Sequence, residues 1–269
     1  MKESVIYIRQ SSIVDFKDEY VAAQKYFKVV NYFTDLPRDS LVIPRYSALP
    51  FNKDFCQEVL NLGSTTINSY REHSYVADIK NWYEDLKEFT PETWFKLEDV
   101  PNMGSFVLKG NTNSKKHLWN THMFASNRED VNTVYSELHK DSLVGYQDIY
   151  VRRYVPLLEL DKGLNDLPIS EEYRFFILRG EVIASGFYWS SFLSELPKGV
   201  TPDAVPQDFL QNVIDRVGDS ITFWVVDIAR TAEGRWIVIE LNDGQQSGLS
   251  SIDPDLFYKR LKNAVSKST

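Results

Sequence analysis

Two carboxylates stand inside runs of apolar residues that would ordinarily exclude them. Asp227 interrupts Phe223-Trp-Val-Val-Asp-Ile-Ala-Arg230, and Glu240 interrupts Trp236-Ile-Val-Ile-Glu-Leu-Asn242. An unpaired carboxylate buried in a strand is costly, so each acid needs a cation beside it. If Thr231 to Gly234 form a four-residue turn, the two runs pair as a hairpin with Asp227 opposite Val238. Glu240 then lies two residues further along the same face, and Asn242 follows by strict alternation. Two carboxylates and an amide oxygen on one side of a sheet are hard ligands, suited to Mg²⁺ shared with nucleotide phosphates. The set depends on register, because a one-residue slip would separate Asp227 from Glu240. The same acids could instead sit at strand ends and pair with Arg230 or Arg235.

Further polar groups recur at strand ends. Lys109 closes the apolar run Gly104-Ser-Phe-Val-Leu-Lys109, ahead of the polar segment Gly110-Asn-Thr-Asn-Ser-Lys115-Lys116-His117. A cation there, next to a loop with exposed amides, can hold polyphosphate charge, or can simply be solvated. Neither Gly-x-x-x-x-Gly-Lys-Ser/Thr nor Gly-x-Gly-x-x-Gly occurs. The strand Ile149 to Val155 leads through Pro156 to Glu159, so it can offer backbone to an adenine edge and a carboxylate to a ribose diol. Arg174 lies within Tyr173-Arg-Phe-Phe-Ile-Leu178, where its planar guanidinium suits a phosphate or carboxylate, or else pairs with Glu172 or Glu181.

The remaining candidates are weaker. His73, His117, His122 and His139 lack metal-ligand spacing and read as solvated or core residues, with His117 and His122 flanking a strand. No Gly-x-Ser-x-Gly elbow is present. Arg45 could reach a site from the N-terminal part, but reads first as a surface residue. The single Cys56 excludes an internal disulfide and a cysteine metal cluster, and reads as a small buried group on a helix.

The elements that must position these groups fall into two halves. Up to about Glu98, strands at Val5–Ile8, Lys28–Phe33 and Leu41–Ile43 alternate with helices. One helix is predicted over Phe16–Phe27, one from an Asn52 cap to Leu62, and a long one over Arg71–Phe89. This is βαβ character. Beyond it, strands are predicted at Ser105–Lys109, Asp148–Val155, Tyr173–Leu178, Glu181–Tyr188, Ile221–Ile228 and Arg235–Leu241. Helices are expected at Arg128–His139, Gln207–Val217 and Asp255–Val265, the last with an Asp253 cap and Pro254 in its first turn. Arg179-Gly180 reads as a hairpin turn, and Pro197–Pro206 as a surface loop over a site. The fold class is therefore α/β followed by α+β.

Size and charge narrow the function. The 269 residues, 43% hydrophobic and 25% charged, suffice for two domains with real cores. A formal net charge of −8 disfavours a nucleic-acid partner. The apolar stretch Val5–Ile8 is too short for a secretion signal, and no window approaches the roughly 18 apolar residues of a membrane span. The expectation is a soluble, cytoplasmic protein.

Taken in order, strand-Lys, polar loop, hinge strand, ribose acid, strand-Arg, strand-Asp and Glu-x-Asn resemble the ATP-grasp superfamily, and more closely its R2K-like branch from phages and bacteria. The resemblance covers roughly Trp94 to Pro254. It implies residues 1–98 as a small pre-ATP-grasp-like α/β domain and 99–269 as an ATP-grasp domain. That domain divides into subdomains 99–155 and 156–269 with ATP sandwiched between them. It further implies that Lys109 and Lys115 contact the nucleotide, that Arg153, Tyr154 and Val155 form the adenine hinge mainly through backbone, and that Glu159 binds ribose. Asp227, Glu240 and Asn242 would hold Mg²⁺, and Arg174, Arg230 and Lys109 would act in catalysis. Two departures stand out: only Gly110 supplies glycine after Lys109, and Arg152-Arg153 fill the hinge where many members carry an acid first. The implied activity is an ATP-dependent carboxylate–amine ligase acting through an acylphosphate, on a small molecule, a peptide or a protein side chain. The alternatives are a kinase on the same fold and a non-catalytic interaction protein.

Overall fold

The computed structural model describes residues 2–112, 114–163, 167–193, 195 and 198–267. The chain first builds a four-stranded sheet from β1 (Ser4–Tyr7), α1 (Lys17–Tyr26), β2 (Lys28–Val30), β3 (Leu41–Pro44), α2 (Asn52–Asn61) and β4 (Thr65–Thr66). Its order is β2-β1-β3-β4 and every pair is parallel. Strands of a parallel sheet are covered on both faces, which is why Val5-Ile6-Tyr7 and Val42-Ile43 are continuous apolar runs, all buried. Gly63, at φ +76°, ends the turn after α2 in a conformation that costs glycine nothing. Asn52 does not cap α2; it is the first helical residue, and Phe51 takes the cap position without a side-chain hydrogen bond.

The long helix expected over Arg71–Phe89 is two helices, α3 (Tyr70–Ala77) and α4 (Ile79–Leu86). Asp78 between them is extended (φ −125°, ψ 117°), and its carboxylate accepts from the Lys80 amide, so it stops one helix and caps the next. Ser69 and Glu72 start α3 with a reciprocal capping box. The apolar spacing that suggested one helix survives the break, because Val76, Ile79, Trp82 and Leu86 still reach one core.

A second, antiparallel sheet follows: β5 (Thr93–Trp94), β6 (Phe106–Gly110), β7 (Phe124–Ala125), α5 (Arg128–Lys140) and β8 (Ile149–Arg153), in the order β5-β8-β6-β7. Helix α5 covers one face with Val131, Val134 and Leu138 against Phe106, Leu108 and Val151. The strand expected between His117 and His122 is instead a pair of short helical turns, Lys116–Leu118 and Trp119–Met123.

The last part contains the hairpin β9 (Glu159–Lys162) and β10 (Pro168–Ser170), then β11 (Glu172–Leu178), β12 (Glu181–Phe187), α6 (Gln207–Val217), β13 (Phe223–Arg230), β14 (Trp236–Asp243) and α7 (Pro254–Ser266). The third sheet runs β12-β11-β13-β14, all antiparallel. Arg179 and Gly180 both have positive φ, as a tight hairpin turn requires. Asp253 caps α7 through the Leu256 amide, with Pro254 in the first turn. One face of this sheet (Phe175, Ile177, Trp224, Val226) packs on α4 and α6. The other (Phe176, Phe223, Val225) packs on α7 and, through it, on α1 and β1. The loop expected over Pro197–Pro206 contains the short turn Pro202–Ala204; Pro197 lies outside the described residues. Among the described residues no helix is long and apolar enough to cross a membrane.

Arg45 is not a surface residue, and it lines neither cleft described below. It is fully buried where the first sheet meets the loop after β14. There it donates to Glu19 (2.9 Å), to the Ser247 carbonyl (2.9 Å) and to the Gly244 carbonyl. Glu19 also accepts from Tyr258 at 3.0 Å. Removing one partner of such a pair strands the other charge in the interior. Arg45→Met should therefore cost about 3–5 kcal/mol in urea unfolding, and adding Glu19→Gln should recover part of it. An unchanged midpoint in the single variant would contradict this reading.

Candidate active site

Hydrogen-bonded neighbours across β11, β13 and β14 place Arg174 opposite Asp227, and Asp227 opposite Glu240. Directly opposed residues of antiparallel strands share a face, so an arginine and two acids form one row. Simple alternation predicts Val238 opposite Asp227. Instead Val238 pairs with Ile228, Glu240 with Asp227, and the register shifts at Ile239. This is a β-bulge, which inserts one residue and re-aims the side chains around it. The bulge is gripped from outside its own sheet. Arg152 of β8 donates to the Ile239 carbonyl at 2.7 Å and to Thr90 Oγ1 at 2.7 Å, while Thr90 donates to the Val238 carbonyl at 2.8 Å.

Each acid has a cation. Arg174 grips Asp227 in a two-point contact, Nε to Oδ1 and Nη2 to Oδ2, both 2.8 Å. Lys109, near the end of β6, forms an ion pair with Glu240 and so ties the second sheet to the third. Burial alone would raise the Glu240 carboxyl, but Lys109 and Lys116 hold it down at about 2. Arg152 is buried without a carboxylate in hydrogen-bond contact, and burial lowers it to about 10 against the pull of Glu240.

Two clefts meet at this point. The first lies between the second and third sheets and is walled by Lys109, Lys116, Arg153, Tyr154, Val155, Glu159 and Glu172, with Trp119, Leu167, Ile237 and Ile239 supplying apolar surface. The second lies between the third sheet and the N-terminal elements and is walled by Asn52, His73, Asp78, Asn242 and Asp243. Lys109, Arg152, Ile239 and Glu240 line both.

The residues singled out in the sequence divide accordingly. Lys109, Arg153, Tyr154, Val155, Glu159 and Glu240 come together on the first cleft, and Asn242 faces the second. The amides of Arg153 and Tyr154 are already committed, to the Glu92 and Ser105 carbonyls at 2.7 and 2.9 Å, and are not free donors toward the cleft. Lys115 turns away to Asp141 (2.8 Å), and its neighbour Lys116 enters the cleft instead. Arg230 lies on neither cleft; it sits 3.6 Å from Glu171 and over the Trp236 ring. Arg174 spends its donors on Asp227 and, at 2.9 Å, on the Gly248 carbonyl.

Four groups escaped the sequence reading. Lys116 bonds the Tyr188 hydroxyl at 2.7 Å and lies over the Tyr188 and Trp189 rings. Burial would lower it, yet Tyr188, Glu172 and Glu240 together raise it. Glu172 shares the face of Arg174 by alternation, and that spacing was the available signal. Arg152 was noted only as a departure from a pattern. His73 is not a lone core histidine: its Nδ1 lies 2.8 Å from Asp243, a contact spanning 170 residues that no local pattern announces.

Among the described residues no three His, Cys, Asp or Glu side chains are grouped to hold a metal. An oxygen set of two acids and one amide nevertheless lies on one face of the hairpin, since Asn242 opposes Val225 while Glu240 opposes Asp227. Hard donors of this kind fit Mg²⁺. Glu240 and Asn242 are the members not locked by a guanidinium.

Two facing sheets around a cleft that carries a strand-end lysine, with acids on a terminal hairpin, are the architecture of ATP-grasp proteins. A family model described as ATP-grasp domain, R2K clade family 3, matches residues 97–261, and the chain belongs to that family. No curated protein matches the sequence. Solved structures share the fold at low identity. D-cycloserine synthetase DcsG aligns with a TM-score of 0.63 at 13% identity over 97% of this chain and 98% of its own. D-alanyl-alanine synthetase A from Vibrio cholerae gives 0.61 at 13% over 99% and 98%. The ATP-grasp ligase PsnB, in complex with a precursor variant, Mg and ADP, gives 0.60 at 10% over 100% and 98%.

Glu172 sets a test of the electrostatics. Burial, with Asp227 and Glu240 adding to it, pushes its carboxyl from 4.5 up to about 7 against Lys116 and Arg174, and its Oε1 has no hydrogen-bond partner. Between about 4.5 and about 7 the folded state thus holds a proton that the unfolded chain has released. The stability this confers is full below about 4.5 and is lost as pH rises through about 7. Glu172→Gln should flatten that part of the curve of urea midpoint against pH. A variant curve parallel to wild type would show that Glu172 is already ionised.

Proposed function

We propose that this chain is an ATP-dependent carboxylate–amine ligase that uses Mg²⁺, with nucleotide in the first cleft and the groups to be joined in the second. The observation that carries this reading is the Lys109–Glu240 pair, which belongs to both clefts at once. A phosphoryl group delivered from one side and an acceptor held on the other would meet at the residues they share. The ligase names of the solved structures with this fold lend support.

Each wall residue then has work suited to its chemistry. Lys109 and Lys116 offer positive charge to phosphate oxygens from a site that excludes much of the water, where such charge acts strongly. Glu159 offers a carboxylate to the ribose hydroxyls, and the apolar side chains of Ile237, Ile239 and Leu167 can cover the base. Glu240 and Asn242 would hold Mg²⁺, with Asp227 behind them. When bound, the ion would neutralise charge on the transferring phosphate. The substrate carboxylate attacks the γ-phosphate to form an acylphosphate, and the amine then displaces phosphate. In that scheme no protein nucleophile is needed, and positioning plus charge supplies most of the acceleration.

The test is thermal unfolding with a non-hydrolysable ATP analogue, with and without Mg²⁺, on wild type and on Glu240→Gln. Saturation at a hundredfold excess over Kd should stabilise wild type by about 2.7 kcal/mol, less so in the variant. Screening carboxylates and amines for ADP release together with free phosphate completes it. ADP with phosphate retained on an acceptor hydroxyl would make the protein a kinase instead. No stabilisation of wild type by nucleotide would sink the proposal.

A further inference from the structure

The second cleft contains a pair of side chains that the scheme above leaves unused. His73 lies on α3 and Asp243 is the last residue of β14, one position beyond Asn242. Their separation, Nδ1 to Oδ2, is 2.8 Å. Asp243 is 4% exposed, and its remaining valences are filled. Oδ1 accepts from Asn68 Nδ2 (2.8 Å) and from the Gln245 amide (2.8 Å), and Oδ2 also accepts from Gln245 Nε2 (3.0 Å). Asn68 is itself fixed, exchanging hydrogen bonds with the backbone of Phe223 at 2.6 and 2.8 Å.

This surrounding decides the chemistry of the imidazole. A buried carboxylate with three other donors on it acts as an acceptor, so Nδ1 of His73 must carry the proton it shares. A neutral imidazole with its proton on Nδ1 has its lone pair on Nε2. The carboxylate fixes the ring's tautomer and orientation and stabilises the cation that forms when Nε2 takes a proton, as in other carboxylate–histidine pairs. His73 lines the cleft shared with Lys109, Glu240 and Asn242. The other charged groups on the wall are Lys53, Asp54, Asp78 and Arg152, alongside Asp243 itself.

We propose that His73, held by Asp243, is the base that accepts the proton of the nucleophile entering the second cleft. This rests on the ligase reading. The amine nitrogen attacks the acyl carbon and a C–N bond forms. The C–O bond to phosphate breaks, its electron pair leaving with inorganic phosphate, and the proton in excess on nitrogen passes to His73 Nε2 and thence to solvent. Asp243, accepting from Nδ1, acts as a positioning residue.

The experiment separates the two half-reactions. Full-length protein is given MgATP, a panel of amino acids as carboxylates, and either hydroxylamine or the same amino acids as amines. Hydroxylamine reacts with acylphosphates without a base, so hydroxamate reports the first step alone, while amide reports both. His73→Asn keeps a donor for Asp243 but has no lone-pair nitrogen. It should make hydroxamate at the wild-type rate and lose amide formation by about 10²–10⁴-fold, the usual contribution of a positioned base. His73→Ala should behave likewise, with added imidazole restoring amide formation. Nucleotide-induced stabilisation of both variants should match wild type, which shows that they fold. Equal loss of both products, or loss of neither, overturns the base and leaves the ligase reading standing. A wild-type protein that yields no hydroxamate with any carboxylate overturns the ligase reading, and the base with it.

Discussion

The ion pair between Lys109 and Glu240 ties the second sheet to the third at the point where the two clefts meet. Burying two charges costs several kcal/mol each unless geometry and neighbours offset it. Here the offset is collective. Glu240 has Lys109 of the second sheet in contact and Lys116, from the helical turn Lys116–Leu118, nearby, while Asp227 is held by Arg174 from the neighbouring strand of its own sheet. No single strand could satisfy its own acids. Within the hairpin of β13 and β14, Glu240 takes its contacting cation from the second sheet. The bulge at Ile239 belongs to the same arrangement, since Arg152 and Thr90 hold its carbonyls from outside the sheet.

The N-terminal elements are joined to this assembly by both packing and polar contacts. Helices α1 and α7 pack side by side, and their apolar faces merge with β1 and β11 into one core. Arg45 and Glu19 lie at the centre of that contact with their charges matched. The second cleft therefore lies between well-packed bodies. Its far wall, formed by α3 and the start of α2, is held in place by the Asn68 contacts to β13 as well as by packing.

Much of this was legible in the sequence, for physical reasons that also explain the misses. Strands and helices with clean periodicity, such as Gln207–Val217 or the capped α7, read correctly because local chemistry alone determines them. The acids of the hairpin were legible because a carboxylate in an apolar strand demands an explanation. Their register was not, because the bulge carries contacts from outside the hairpin, among them Arg152 of a strand more than eighty residues earlier. The break at Asp78 was hidden by an apolar stripe that continues across it. Lys115 and Lys116 are adjacent and alike, and only a helical turn decides which one faces inward. His73 was dismissed for lack of a nearby ligand, when its partner lay at the other end of the chain.

Sharing Lys109 and Glu240 between two clefts makes those clefts thermodynamically inseparable. Anything anionic that draws Lys109 to itself in the first cleft leaves Glu240 with less compensation, and so alters what the second cleft will hold. Reciprocity is then compulsory: a ligand engaging Glu240 from the second side must change affinity on the first by the same factor. Each ligand's affinity would thus depend on the other's presence. Cooperation or competition between the two ligands would need no moving domain, only a lysine and a glutamate that each have two claims on them.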